Sequence, residues 1–264
     1  MHMRESRVLR KLRAGQVVSC TKFNLSCPRA PEIAARCGID CVWLDMEHVP
    51  NDLETVENQI RSAKAYDVDA IVRVARGSYS DYIKPLEADA AGIMVPHILS
   101  LEDAERVVYQ TRFHPLGRRP LDGGNADGAY CLVETEDYLR EANAQRFIVL
   151  QIEDPEALPE LDEIAALEGI DMIFFGPGDF SQGIGAPGQW DHPDITEARK
   201  RIARAARAHG KFAGTTGSIE SLPGLIDMGY QFICIGGDVV GLGEYYCKIS
   251  GAFAHLRQTR ETSP

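Results

Sequence analysis

The sequence predicts an α/β fold, a (β/α)8 TIM barrel, and three observations predict it. Short apolar runs and helical patterns alternate from end to end of the 264 residues. About eight strand–helix repeats in roughly 250 residues is what such a barrel needs. No GxGxxG follows the first apolar run, so a doubly wound dinucleotide-binding sheet has no support.

Taken in order, the candidate strands are 16–22, 41–46, 69–74, 92–96, 146–152, 171–175, 211–215 and 231–236. A helix begins near Pro31 after the first. Another opens at Asn51-Asp52, with Glu54 in its first turn where an acidic side chain suits the helix dipole. Ser100 with Asp103 at the third helical position gives a capping-box-like start after the fourth strand. Later helices begin near Pro159, Pro193 and Ser218. Residues 115–130 (PLGRRPLDGGNADGAY) break the rhythm, and a loop of that length predicts a lid over the barrel mouth. No linker or low-complexity run divides the chain, so residues 1–264 read as a single domain.

A net charge of −11, with no Lys/Arg block as a local exception, argues against a nucleic-acid partner. Arg199-Lys200-Arg201, Arg204 and Arg207 interleave with Ile202 and alanines at helical spacing, which reads as a solvated helix face. No apolar stretch approaches the roughly 18 residues that cross a bilayer, and the basic N-terminus lacks the apolar core of a signal peptide. Seven cysteines without a CxxC, two of them (Cys41 and Cys234) in apolar runs, fit buried reduced thiols and a cytoplasmic protein.

The chemistry is concentrated at two carboxylates. Phe147–Ile152 delivers Glu153, and the run Met172–Phe175 followed by Gly-Pro-Gly delivers Asp179. If these strands are parallel neighbours, their ends lie roughly 4.8 Å apart. Two carboxylates that close share one hard cation, or one keeps a proton. Because barrel active sites form at the C-terminal ends of strands, the other polar residues there complete the list. They are Lys22, then Asp45, Glu47 and His48, then Arg73, Gln151, Ser181, Thr215, Thr216 and Asp238. Each has a plainer alternative: Arg73 as an internal ion-pair partner, His48 as a helix or loop cap, Asp179 as an N-cap.

In this order, Asp45-x-Glu47-His48-x-Pro50-Asn51-Asp52, Val72-Arg73, Val95-Pro96, Gln151-Ile152-Glu153 and Phe175-Gly176-Pro177-Gly178-Asp179-Phe180-Ser181 resemble the HpcH/HpaI family of class II pyruvate aldolases. The resemblance runs from about residue 16 to about residue 240. It implies a barrel whose last helix is exchanged between subunits of a homo-oligomer, a hexamer or trimer. It implies that Glu153 and Asp179 ligate Mg2+, Mn2+ or Co2+, and that Arg73 contacts the keto or enolate oxygen of a 2-oxo acid. His48 matches the histidine of proton transfer, with Asp45 as its partner, and Glu87 an acidic residue reaching it from a neighbouring subunit. The backbone at Gly178 and Asp179 matches the segment receiving the substrate carboxylate. Gln151, Thr216 and Lys22 complete the expected substrate contacts.

The implied partners are a small 2-oxo acid and an aldehyde. The expected reaction cleaves a 4-hydroxy-2-oxo acid to pyruvate enolate and aldehyde, with cation and Arg73 stabilising the enolate and a water activated by His48 taking the hydroxyl proton. Three departures from the family pattern fall on the acceptor side or beside the loop: Cys20-Thr21-Lys22-Phe23 replaces a tryptophan-containing run, Thr215-Thr216 an apolar pair, and Pro120 the last glycine of Gly-x-Arg-Gly. The competing readings are a Schiff-base aldolase using Lys22, a citrate-synthase-like or macrophomate-synthase-like enzyme using the same enolate, a CoA-thioester lyase, and a non-catalytic barrel.

Overall fold

The computed structural model describes residues 1–261, and side-chain surroundings through residue 254. Eight strands form one closed parallel barrel in sequence order: β1 (Val18–Phe23), β2 (Cys41–Asp45), β3 (Asp69–Arg73), β4 (Gly92–Val95), β5 (Phe147–Ile152), β6 (Met172–Phe175), β7 (Phe212–Gly217) and β8 (Phe232–Gly237). All eight coincide with the predicted apolar runs to within two residues.

The strands are buried on both faces, which is why they read as continuous apolar runs rather than alternating ones. Their side chains nonetheless alternate between two cores. Cys41, Trp43, Ile71, Phe147, Val149, Phe174 and Phe232 fill the barrel interior. Val42, Leu44, Val72, Ile148, Leu150 and Phe175 pack outward beneath the helices. Edge-to-face rings, Trp43 on Phe174 at 5.5 Å and Phe174 on Phe232 at 6.3 Å, stiffen the interior.

Around the barrel run α1 (Arg7–Arg13), α2 (Arg29–Arg36), α3 (Leu53–Lys64), α4 (Tyr79–Glu87), α5 (Leu101–Thr111), α6 (Thr135–Gln145), a 3-10 turn (Pro155–Glu160), α7 (Leu161–Ala166), α8 (Pro177–Gly183), α9 (Pro193–Ala208), α10 (Leu222–Met228) and α11 (Asp238–Glu261). Asp52 and Ser100 cap α3 and α5 as predicted, accepting from the amides of Thr55 and Asp103. The reading from sequence assigned no helix to α1, α4 or α6. α1 plugs the bottom of the barrel with Val8, Leu9 and Leu12.

The segment 115–130 is not a lid. It lies along the flank, with the Asp127 amide on the Glu87 carbonyl and the Arg118 amide on the Tyr109 carbonyl. Buried Arg119 anchors it, bonding Asp127 at 2.8 Å and Tyr138 at 3.2 Å while stacking 4.7 Å from the Phe113 ring. A buried charge with its own counter-ion fixes such a segment where it lies, and glycine content alone does not reveal that. No described helix is long and apolar enough to cross a membrane.

Candidate active site

The C-terminal ends of the strands surround a cavity of about 620 Å3. Lys22, Arg73, Gln151, Glu153, Gly178, Asp179 and Thr216 all line it, so the structure gathers seven expected residues from the ends of four strands and one short helix. β5 pairs with β6 in parallel, and one ligand atom each from Glu153, Asp179 and His97 lies within 4.8 Å of the others. Asp179 is the third residue of α8, whose N-cap is Gly176, so it does not serve as the cap.

Glu153 is buried. Burial pushes its carboxyl up to about 7, reinforced by the charge of Asp179 and opposed by the His97 amide and the charges of His97 and Arg73. The Gln151 side-chain amide donates to its other oxygen, and Gln151 Oε1 is buried without a partner. Gly176 makes this packing possible: a Cβ there would stand 2.5 Å from Glu153 Oε2 and 2.9 Å from Gln151 Nε2. Hard oxygen donors, a carboxyl made costly by a second carboxyl, and an orphaned amide oxygen fit a divalent cation of the Mg2+ or Mn2+ type. Glu153 and Asp179 would hold it, with His97 beside them.

His97 follows Val95-Pro96 in the left-handed region, φ 51°. Its amide donates to Glu153 Oε1 at 3.1 Å, and its Nδ1 lies 2.9 Å from Asp154. Its Nε2 approaches Glu47 at 3.5 Å. The site list from sequence passed over strand β4. The next polar residue after Val95-Pro96 was the available signal.

Arg73 lies across the floor, its Nε and Nη2 donating to the two oxygens of Asp45 at 3.0 and 2.6 Å. Lys22 reaches the same carboxylate at 2.8 Å, so its side chain turns into the mouth rather than to solvent. Burial alone would raise Asp45, but these cations hold it down at about 2. Beneath them the Trp43 ring lies 4.9 Å from the Arg73 guanidinium and 5.6 Å from Lys22 Nζ. Trp43 was missed from the sequence, although the period of two places 41, 43 and 45 on one face.

Three expected placements differ. Asp45 does not pair with His48: strand register sets Asp45 opposite Arg73, and its oxygens are taken by Arg73, Lys22 and the Glu47 amide. His48 lies three residues further, more than half exposed outside the cavity lining, with Nε2 3.4 Å from Glu47. Glu47, also 3.1 Å from Arg73 Nε, is therefore the carboxylate beside the histidine. Of Thr215-Thr216, only Thr216 faces the cavity. Thr215 is buried with its hydroxyl on the Phe175 carbonyl at 3.1 Å, as alternation along β7 requires. Glu87 ends α4 on the flank, in a groove with Glu57, Arg61 and Asn125, where burial raises its carboxyl.

The profile described as HpcH/HpaI aldolase/citrate lyase matches residues 23–242. The chain belongs to this family. This HpcH/HpaI protein is 31% identical over 254 residues to the hydroxypyruvate/pyruvate aldolase of Pseudomonas aeruginosa, covering 96% of this chain and 94% of that one. It is 35% identical over 183 residues to the 2-keto-3-deoxy-L-rhamnonate aldolase of Klebsiella pneumoniae, covering 69% and 68%. Its fold superposes on the crystal structure of citrate synthase SbnG with a TM-score of 0.84 at 31% identity, covering 97% of this chain and 99% of that one. The HpcH/HpaI protein is an aldolase, a carbon–carbon lyase.

Proposed function

We propose that this aldolase is dependent on a divalent cation, Mg2+ or Mn2+ with Co2+ also accommodated, and that Glu153 and Asp179 are its ligands. The observation that carries the reading is the convergence of Glu153, Asp179 and His97 within 4.8 Å, beside a guanidinium fixed on two sides. When bound, the cation supplies Lewis-acid stabilisation of charge on the keto oxygen. The rest is the work of the chain's own residues. Arg73, held in plane by Asp45, places fixed positive charge where the enolate oxygen develops, without reorganisation during the step. The first-turn amides of α8 at Gly178 and Asp179, which no helical carbonyl takes, face the substrate carboxylate. The C3–C4 bond breaks with its electrons entering the C2–C3 enolate, and the C4 hydroxyl proton leaves as the aldehyde forms. His48, with Glu47 as its carboxylate, accepts that proton through water. C3 is then protonated to give pyruvate.

The exposed apolar side chains of α11, among them Val240, Tyr245, Tyr246 and Phe253, support the further proposal of a homo-oligomer, trimer or hexamer, in which this helix is exchanged between subunits. Glu87 would then serve a neighbouring mouth. The likeness to SbnG favours a second reading, in which the same enolate attacks a ketone rather than an aldehyde.

The test is pyruvate release from a 2-keto-3-deoxy sugar acid, with Mn2+ and with EDTA. Release that stops with EDTA and returns with Mn2+ is expected. Release that survives EDTA and is lost on borohydride treatment would transfer the chemistry to Lys22.

A further inference from the structure

The cavity that holds Arg73 and the carboxylates is also lined by Arg199 of α9, by Ser218 and Ser221 of the β7–α10 turn, and by Trp190. Arg199 is unlike the other cations there. Arg73 and Lys22 share Asp45, whereas no carboxylate of the described residues lies within 4.0 Å of the Arg199 guanidinium. Its Nε is buried without a hydrogen-bond partner. It is held in place: its own carbonyl accepts from Tyr230 Oη at 2.8 Å, and its guanidinium lies 5.8 Å from the Phe175 ring. A partly buried cation without a counter-ion is costly, and in a chain of net charge −11 the lack of a partner is not for want of acidic residues. The planar fork of arginine matches carboxylate and phosphate oxygens in two-point contact. The loops after strands seven and eight are a recurrent place for anion capture in barrels of this fold, and here Ser218 and Ser221 follow β7 while Gly236 lines the cavity from the end of β8.

We propose that Arg199, at the end of the cavity lined by the Ser218–Ser221 turn, binds an anionic group at the far end of the acceptor, so that the aldehyde partner carries a terminal carboxylate or phosphate. This rests on the aldolase reading above and assigns its second substrate by chemical class. The sequence alone points the other way, since the spacing around Arg199 reads as a solvated helix face.

The experiment uses the full-length protein loaded with Mn2+ and follows pyruvate addition to three acceptors: succinic semialdehyde, glyceraldehyde 3-phosphate and neutral butanal. The readout is the ratio of kcat/KM for each anionic acceptor to that for the neutral one, which a loss of folded protein does not move. The wild type is expected to prefer one anionic acceptor, and the preferred one tells carboxylate from phosphate. Arg199→Gln lowers that ratio about 10- to 100-fold, the loss of a charge-assisted hydrogen bond, and Arg199→Lys restores part of it. A ratio unchanged in Arg199→Gln, or equal losses on charged and neutral acceptors, makes Arg199 a structural residue and overturns the subsite. Pyruvate C3 exchange by the wild type separates the two failures. Exchange with an unchanged ratio removes the subsite alone, whereas no exchange removes the aldolase reading and the subsite with it.

Discussion

Two buried carboxylates at opposite ends of the barrel are titrated in opposite directions. Asp40, 4% exposed at the bottom, is met by Arg7, by Lys11 at 2.6 Å and by the Ser19 amide at 3.1 Å. Burial would raise it, yet those partners hold it below its ordinary value. Glu153, 1% exposed at the top, faces Asp179 and rises to about 7. Asp69, at the same end, accepts from Arg4, Ser6 and the Val8 amide. The carboxylates at the bottom each have cations of their own, whereas at the mouth Arg73 and Lys22 are taken by Asp45 and Glu153 is left beside Asp179 without a lysine or arginine partner among the described residues. That deficit is what a cation site requires, and it separates the end that stabilises from the end that reacts.

The sharpest way to break this contrast is Glu153→Gln. It is expected to lower Mn2+-dependent cleavage by roughly 10^3-fold. It should also raise the melting temperature of the metal-free protein, because repulsion with Asp179 is removed. Near-wild-type turnover would sink the ligand assignment. Next comes Arg73→Lys, which keeps the charge but loses the fork held by Asp45. A drop in kcat of about 10^2-fold is expected, with Mn2+ affinity measured alongside to confirm an intact cation site.

At the bottom, Asp40→Asn leaves kcat/KM unchanged while removing about 3 kcal/mol of stability, roughly 8 °C in a thermal melt. A loss of activity in protein that remains folded would deny the division between the two ends. The smallest effect concerns Asp45. Its folded-state value is depressed to about 2, so its contribution is present above the unfolded carboxyl range and is lost as pH falls from about 4 toward 2. Urea unfolding of wild type and Asp45→Asn should differ by about 2 kcal/mol more at pH 5 than at pH 2. A pH-independent difference would mean that the Asp45–Arg73–Lys22 cluster does not hold the charge described.

Much of the fold and part of the site are legible in the sequence. Parallel strands buried on both faces leave unbroken apolar runs, which is why every strand was found. The site residues on those strands, Lys22, Arg73, Gln151, Glu153 and Thr216, followed from strand ends alone. What failed depended on contacts far apart in sequence. Asp45 was given to His48, three residues away, because register, which sets it against Arg73, is not visible in one strand. Arg119 and Asp127 look like ordinary loop charges until they are found buried together. Arg199 looks like one basic residue among five on a helix, and only the packing of α9 against β6 and β7 turns it toward the mouth. His97 lay one residue beyond a motif already recognised.

The most direct test of the central claim, enolate chemistry at the Glu153–Asp179 end, is hydrogen–deuterium exchange at C3 of pyruvate, followed by NMR with Mn2+ and then with EDTA. It requires no knowledge of the aldehyde. The account predicts exchange that needs the cation and falls to background in Glu153→Gln. Exchange that persists in EDTA, or its absence under both conditions, would contradict it.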